Sequence, residues 1–206
     1  MKTVLIRVLL TFILFILPLA NIWAASIDLA VLKYGTVNWE LNVIKHHGLD
    51  QKHNIKLNIT YLTNKNASSI ALMSEDVDMI VTDWVWVSRQ REQGADFTLV
   101  PYSTAAGALM VPKNSQIKSL NDIKNHKIGI AGGSIDKSWI LMRAYSIKVL
   151  NYDIAKNVDA AYAAPPLINA MVTRNELDGA LNYWNYTARL SALGLKKIIS
   201  ISDILP

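Results

Sequence analysis

The segment AGGSIDKSW, residues 131–139, carries the residues best suited to ligand binding. Its adjacent glycines, of which Gly133 is the second, allow a close approach of the backbone, and Ser134 or Asp136 can cap the helix that follows. Free N–H groups at a helix start suit a sulfonate, phosphate or carboxylate. Asp136 would repel such an anion, and Lys137 would offset that repulsion. The loop lacks the G-x-x-x-x-G-K-[ST] spacing of nucleotide hydrolases, so it is either a plain helix-start turn or a ligand contact.

Tryptophans recur where predicted strands lead into predicted helices. The four residues in such positions are Trp39, Trp84, Trp139 and Trp184. Any one of them can instead belong to the core, but aromatic faces also stack on flat rings and attract cations. Because Asp83 and Asp136 lie close to these rings in the sequence, we expect an aromatic, mildly acidic cleft. This favours a heteroaromatic or amine-bearing solute over nitrate or a short alkanesulfonate.

Short β-rich runs alternate with helical patterns throughout the chain, which predicts an α/β fold. The first half contains predicted strands at 29–37, 55–62, 77–82 and 97–102, and the pattern restarts at 108. We therefore expect two lobes, each a mainly parallel sheet flanked by helices, with residues 26–104 in the first lobe and 105–200 in the second. The boundary falls at the flexible run STAAG.

The ends of the predicted strands select the candidate site residues. In an open parallel sheet, ligands bind outside the carboxyl ends of the strands. Together with the loop and the tryptophans, this rule gives a predicted ligand-binding set of Asn38, Trp39, Asp83, Trp84, Ser103, Gly133, Ser134, Asp136, Lys137, Trp139, Tyr162, Asn182 and Trp184. No catalytic residue is predicted, since no nucleophile–base pair is evident.

The two halves of the chain contain similar segments. ALMSEDVDMIVTDW and AMVTRNELDGALNYW each run from a helix into an acidic turn, an aspartate and a strand, and a tryptophan follows each aspartate by six residues. The similarity predicts two lobes of similar design. Asp78 and Asp178 precede their strands, so we interpret them as turn residues rather than ligands.

Residues 1–25 have the layout of a cleaved secretory signal peptide. Lys2 and Arg7 precede an apolar run from Val8 to Leu19, which is shorter than the about 20 residues needed to span a bilayer, so a membrane anchor is the less favoured reading. Removal of the signal lowers the formal net charge from +5 to +3, because the signal contains two basic and no acidic residues. This mild charge does not favour nucleic-acid binding.

The composition limits the possible metal and cysteine chemistry. The sequence has no cysteine, which excludes a cysteine nucleophile, a thiolate metal site and a lipid-modified cysteine. His46 and His47 are adjacent on a predicted helix and diverge by about 100°, so they do not form a metal site with His53. We predict neither a metal nor a cofactor.

Four motifs in order resemble one family of transport proteins. They are VLKYGTVNW at the first strand, GLDQKHNIKL before the second, SEDVDMIV, and IKSLNDIKNHKIGIAGGS leading into the glycine loop. From residue 29 to 204 the chain resembles the periplasmic binding proteins of nitrate, sulfonate, taurine and thiamine-precursor importers. The resemblance implies a type II periplasmic-binding-protein fold with ligand contacts in the loops named above.

The same resemblance implies a function and partners. We expect a monomeric periplasmic protein that captures a small solute between its lobes and delivers it to an ABC importer permease. Alternatives are a sulfonate, taurine or nitrate binder of the same family and a periplasmic accessory protein that serves an oxidoreductase or sensor. Relatives on this fold also include pyridoxal-phosphate enzymes with cysteine-rich motifs, which this sequence lacks. Family members are usually longer, so we expect a truncated chain in which residues 201–206 begin the return to the first lobe.

Overall fold

The computed structural model of the protein describes residues 25–204. The first sheet contains three strands in the order β2-β1-β3, all parallel: β1 (Ala25–Leu32), β2 (Ile55–Leu62) and β3 (Met79–Ile80). Four helices accompany it: α1 (Val37–His46), α2 (Leu49–Lys52), α3 (Lys65–Met73) and α4 (Trp84–Glu92). Parallel strands need crossover connections, and helices supply them here.

The second sheet has five strands in the order β6-β5-β7-β4-β8. The strands are β4 (Ala108–Val111), β5 (Lys127–Ala131), β6 (Asp159–Ala163), β7 (Gly179–Asn182) and β8 (Lys196–Ser200). Only β4 runs antiparallel to its neighbours β7 and β8. The helices are α5 (Lys137–Leu150), α6 (Pro165–Thr173) and α7 (Trp184–Ala192), with short 3-10 turns at Leu120–Ile123, Ile154–Lys156 and Ile201–Asp203. The predicted α/β architecture of two mainly parallel sheets flanked by helices is confirmed.

Alternation along the strands divides the core of the second sheet between its two faces. Ile128 and Ile130 belong to one buried cluster, whereas Ala131 belongs to another. Successive side chains of a strand point to opposite faces, so one cluster lies on each side of the sheet. Trp139, at the start of α5, is 1% exposed and packs in the first cluster.

Two predicted strand positions need correction. The first strand ends at Leu32 rather than extending to Val37, because Gly35 donates its N–H to the Leu32 carbonyl and turns the chain toward α1. The predicted strand at 97–102 is wrong: residues 95–107 form neither helix nor strand. This segment contains Pro101, which has no N–H for a sheet, and Val100 is 73% exposed. Phe97 stacks on Trp86 at 5.5 Å instead of pairing with a strand.

The similarity between the two halves is confirmed in the hydrogen bonding. Asp78 accepts a hydrogen bond from the N–H of Asp28 at 2.8 Å, and Asp178 accepts one from the N–H of Lys127, also at 2.8 Å. Each aspartate thus holds the beginning of its own strand against a neighbouring parallel strand, β1 in the first sheet and β5 in the second. Their assignment as turn residues, distant from the cleft, agrees with this geometry.

The matching turns before these aspartates provide a test of backbone strain. Glu75 and Asn175 occupy equivalent positions with φ of 61° and 58°. Asparagine tolerates this left-handed conformation better than glutamate. Glu75→Asn should therefore raise the free energy of unfolding by about 0.5 kcal/mol, and Asn175→Glu should lower it by a similar amount. Urea denaturation of both variants measures the two changes, and equal signs would contradict the argument.

Several predictions about the chain ends and domain limits are not tested by the described residues. Residues 1–24 of the predicted signal peptide lie outside them, and Ala25 is the first residue of β1. The lobe boundary at residue 104 remains a prediction. Within residues 25–204, no helix is both long and apolar enough to cross a membrane.

Candidate functional site

The two halves of the molecule contact each other through helix and loop residues beyond the ends of their strands. The rings of Trp39 and Trp184 meet edge to face with centroids 6.0 Å apart. The Tyr186 hydroxyl donates a weak hydrogen bond, 3.4 Å long, to the Tyr34 carbonyl. Trp39 is 53% and Trp184 41% exposed, so the pair forms part of the rim of the interface. Loops from both halves therefore surround a common space.

A first cavity of about 210 Å³ lies in this space. Strand ends and helix starts of both sheets border it, together with the segment that connects the sheets. Its lining residues are Leu32, Gly35, Thr36, Val37, Lys65, Val81, Thr82, Asp83, Tyr102, Ser103, Ala105, Ala106, Gly107, Asp136, Lys137, Ser138, Tyr183, Trp184 and Asn185. This is the place that the strand-end rule predicts for a ligand.

Lys65 is the central charged group of the cavity wall. It is only 7% exposed and forms an ion pair with Asp83, whose side chain is also largely buried. Burial lowers the pKa of Lys65 to about 8, while the nearby carboxylate of Asp136 acts in the opposite direction. The amine is thus held between carboxylates from the two halves of the molecule.

Asp136, which is buried, and Tyr183, which is partly buried, lie together on the side of the second sheet. Burial raises the pKa of Asp136, and the neighbouring ammonium of Lys65 opposes that rise. Burial also raises the pKa of Tyr183, and the negative charge of Asp136 adds to the effect. A Cβ on Gly132 would collide with the Tyr183 hydroxyl and lie 2.8 Å from the Asp136 carboxylate. Only glycine therefore allows this close contact of loop and ring.

The helices around the cavity differ in their N-terminal caps. Asp83 caps α4 by accepting the N–H of Trp86 at 3.0 Å, and Asp136 caps α5 by accepting the N–H of Ser138 at 2.8 Å. By contrast, the N-cap residues of α1 and α7, Thr36 and Tyr183, form no side-chain cap. The first-turn N–H groups of these two helices lack a side-chain acceptor at the cavity wall.

A second cavity of about 370 Å³ adjoins the first. It is bordered by the carboxyl ends of β1, β2, β5 and β6. Its lining residues are Leu32, Tyr34, Thr63, Asn64, Lys65, Asn66, Gly132, Gly133, Tyr162, Ala163, Ala164, Pro165 and Tyr183. Leu32, Lys65 and Tyr183 line both cavities, so the two cavities adjoin at these side chains.

The structure brings about half of the predicted site residues to the cavity walls. Asp83, Ser103, Asp136, Lys137 and Trp184 line the first cavity, and two more, Gly133 and Tyr162, line the second. Whether these residues contact a ligand remains a prediction.

The other predicted residues lie outside both linings. Trp39 packs on Trp184 at the rim, and Trp84 and Ser134 are exposed. Asn38 donates its amide to the carbonyls of Leu32 and Lys33, which fixes the end of β1, although its buried Oδ1 has no partner. These side chains shape the loops around the cavities.

The prediction of ligand contact needs correction for Trp139 and Asn182. Both are 1% exposed, so neither presents a surface to a solute. Trp139 fills the core beneath α5. The amide of Asn182 donates to the Pro165 carbonyl and to Asn169 Oδ1, both at 2.8 Å, which joins β7 to α6. Both side chains support the site from within the protein.

Sequence reasoning missed the wall residue Lys65, and it left Thr82 and Tyr183 out of the predicted ligand-binding set although the strand-end rule reaches both. Lys65 begins the helix that follows β2, a strand end to which the selection rule was not applied. Tyr183 lay within a selected loop but was passed over in favour of its neighbours. Thr82 follows β3, and its buried hydroxyl has no protein partner. Within residues 25–204, no group of three or more histidine, cysteine or acidic residues is arranged to hold a metal.

Comparisons with solved structures show the same fold in solute-binding proteins. The periplasmic aliphatic sulphonate binding protein SsuA from Escherichia coli superposes with a TM-score of 0.67 at 19% identity, over 88% of this chain and 58% of that one. The alkanesulfonate-binding protein SsuA from Xanthomonas axonopodis pv. citri, bound to MOPS, gives a TM-score of 0.68 at 16% identity, over 85% and 61%. A binding protein component of an ABC phosphonate transporter from Pseudomonas aeruginosa gives 0.60 at 14%, over 86% and 65%.

The chain spans less than two thirds of the length of these proteins. A comparison with curated protein sequences finds no match. The scan against protein families, however, matches residues 30–188 to the family described as NMT1/THI5 like. The parallel sheets, the cavity at their strand ends and this match agree: the chain belongs to the NMT1/THI5-like family and has a type II periplasmic-binding-protein fold.

Proposed function

We propose that this protein is the exported solute-binding component of an ABC importer. The observation that carries the proposal is the first cavity, which strand ends and helix starts from both halves of the molecule enclose. A solute bound there would contact both halves at once and favour their closed arrangement. The structural neighbours that bind sulfonates or belong to a phosphonate transporter support this role.

The export and the partners follow from the same proposal. The protein acts in the periplasm after removal of its signal peptide, as a monomer, and its closed form is recognised by the importer permease. Binding and release require no covalent step, so the protein needs no catalytic residue and no cofactor for this role. The neighbours named as periplasmic binding proteins support this location.

The contacts in the cavity favour a flat solute with a hydrogen-bond-accepting head. Trp184 and Tyr102 contribute aromatic surface to the wall, as a heteroaromatic solute requires. Asp83 and Asp136 are each engaged by a helix N–H and are near Lys65, so little of their charge is free to attract an amine. The first-turn N–H groups that have no acceptor among the described residues, those of Val37 in α1 and of Trp184 and Asn185 in α7, offer donors instead. We therefore place an aromatic acid ahead of an amine.

Three compounds that share a benzene ring but differ in their head group test the preference for an acid over an amine. Benzenesulfonate and benzoate should bind at least about tenfold more tightly than benzylamine, which corresponds to about 1.4 kcal/mol. Tryptophan fluorescence titration measures the dissociation constants, and thermal shift gives an independent check. Tighter binding of benzylamine would restore the amine-bearing solute as the better proposal.

A pair of variants tests whether the solute binds in the first cavity. Ala105 is exposed and lines the first cavity, so Ala105→Phe should abolish binding of the preferred compound while the protein stays folded. Ala192, exposed at the end of α7 and outside both cavities, is the matched position for control, and Ala192→Phe should bind normally. Unchanged binding in Ala105→Phe would place the solute elsewhere.

A further inference from the structure

The second cavity differs from the first in the charge of its wall. The wall of the first contains two lysines and two aspartates. Among residues 25–204, Lys65 is the only residue with a charged side chain at neutral pH in the wall of the second cavity, and none of them places a carboxylate there. A cation placed there would find no counter-charge and would face the Lys65 amine.

The two helix starts at the second cavity, those of α3 and α6, are also poorly suited to an anion. At α3, the Asn64 side chain already accepts the N–H of Ala67, and the Lys65 amine is paired with Asp83. Helix α6 begins with Pro165 and Pro166 after Ala164, which provides no side-chain cap. Proline has no backbone N–H, so the first two donors that a helix start normally offers are missing here. Anion binding through helix amides is therefore possible at α1 and α7 but not at α6.

The remaining surface of the second cavity suits an uncharged ring. Tyr34 and Tyr162, from opposite halves of the molecule, are 37% and 47% exposed. Tyrosine rings offer apolar faces for stacking and hydroxyls for hydrogen bonds. Behind them, Gly133 leaves its backbone open, since a Cβ at this position would meet no atom within 4 Å. A flat group can approach the loop closely at that point.

We propose that the second cavity receives an uncharged, ring-bearing extension of the solute whose acidic head occupies the first cavity. The two cavities share Lys65 and Tyr183 in their walls, so one elongated molecule can reach both by passing beside these side chains. This inference rests on the proposed function and specifies the length and the chemical class of the solute.

Three probes of graded length and charge test the proposal by fluorescence titration. Benzenesulfonate supplies the head alone, biphenyl-4-sulfonate adds an uncharged ring, and biphenyl-4,4′-disulfonate adds a charged one. Biphenyl-4-sulfonate should bind at least about tenfold more tightly than benzenesulfonate, a gain of about 1.4 kcal/mol. The disulfonate should show no such gain, because Asn64 already caps α3, the two prolines remove the first donors of α6, and the Lys65 amine is paired with Asp83.

Ala163→Leu fills the second cavity without touching the first. It should remove the gain of biphenyl-4-sulfonate and leave the affinity for benzenesulfonate within about twofold. Ala163 packs partly against the core, so Asn66→Phe, at an exposed lining position, provides a second variant with the same expected result. Circular dichroism and thermal unfolding show whether each variant is folded.

The outcomes separate this inference from the proposed function. Equal affinity of the two monosulfonates in the unmodified protein, or a gain that persists in both variants, would overturn the elongated solute alone. If biphenyl-4,4′-disulfonate gained as much affinity over benzenesulfonate as biphenyl-4-sulfonate does, the extension would not have to be uncharged, and that part of the proposal would be wrong. Failure of every probe to bind would contradict the acidic head of the proposed function, and the extension with it.

Discussion

Replacing Trp139 with alanine is expected to lower the free energy of unfolding by about 3–5 kcal/mol. The ring is 1% exposed and packs in the cluster that α5 forms with one face of the second sheet. Its removal loses buried apolar area and leaves a cavity that the surrounding side chains fill only in part. Urea denaturation followed by far-ultraviolet circular dichroism measures the loss.

Trp184→Ala provides the matched control. Trp184 is 41% exposed at the wall of the first cavity, so its removal should cost no more than about 1 kcal/mol of stability but should weaken binding of benzenesulfonate. The two tryptophans would then separate a role in stability from a role in binding. A small stability loss for Trp139→Ala would mean that the ring is not part of the core.

Lys65→Met is expected to lower the free energy of unfolding by about 3 kcal/mol at pH 7. The substitution leaves Asp83 buried without its cation, close to Asp136, which is also buried. Adding Asp83→Asn to Lys65→Met removes the unpaired charge. The asparagine keeps an oxygen that can accept the Trp86 N–H. The double variant should therefore be more stable than Lys65→Met by at least about 1.5 kcal/mol.

The variants of Lys65 and Asp83 form a double-mutant cycle, and the exposed ion pair of Arg174 and Glu176 provides the control cycle. Its side chains are 59% and 47% exposed, and its nitrogen–oxygen distance is 2.7 Å. Exposed pairs contribute little, so the equivalent cycle with Arg174→Met and Glu176→Gln should give a coupling below about 0.5 kcal/mol. Equal couplings in the two cycles would contradict a special role for the buried pair.

The lowered pKa of Lys65 predicts that the free energy of unfolding depends on pH. The pKa of Lys65 is lowered from 10.5 to about 8, so between these two values the unfolded chain binds more protons than the folded one. Through this group, stability rises as the pH increases from about 8 to about 10.5. In the Lys65→Met variant this rise should be missing. Thermal unfolding of both proteins across this range measures the difference.

Much of the fold was readable from the sequence because its signals are local. The alternation of short apolar runs with helical patterns predicted most elements, and the strand predicted at 55–62 is observed at those limits as β2 (Ile55–Leu62). The repeated aspartate and tryptophan positions correctly predicted matching turns in the two halves. The strand predicted at 97–102 failed because apolar composition does not reveal whether a neighbouring strand edge is available to pair with.

The candidate site was harder to predict because it depends on which side of a loop faces inward. Trp139 and Trp184 both lie in the first turn of a helix that follows a strand, yet one is buried in the core and the other borders the cavity. No local pattern distinguishes them. Lys65 was missed for a related reason: its importance comes from burial near Asp83 and Asp136, which are distant in the sequence.

The position of β4 has a consequence for the order of events during folding. This strand comes first in the second sheet along the chain, but it lies between β7 and β8, which come last. Its partners are therefore about 70 to 90 residues away, and both long loops must close before β4 is paired on its two edges. Such non-local pairing slows folding. Until residues 196–200 are available, β4 has an unpaired edge, and a chain that lacks them would be prone to aggregate.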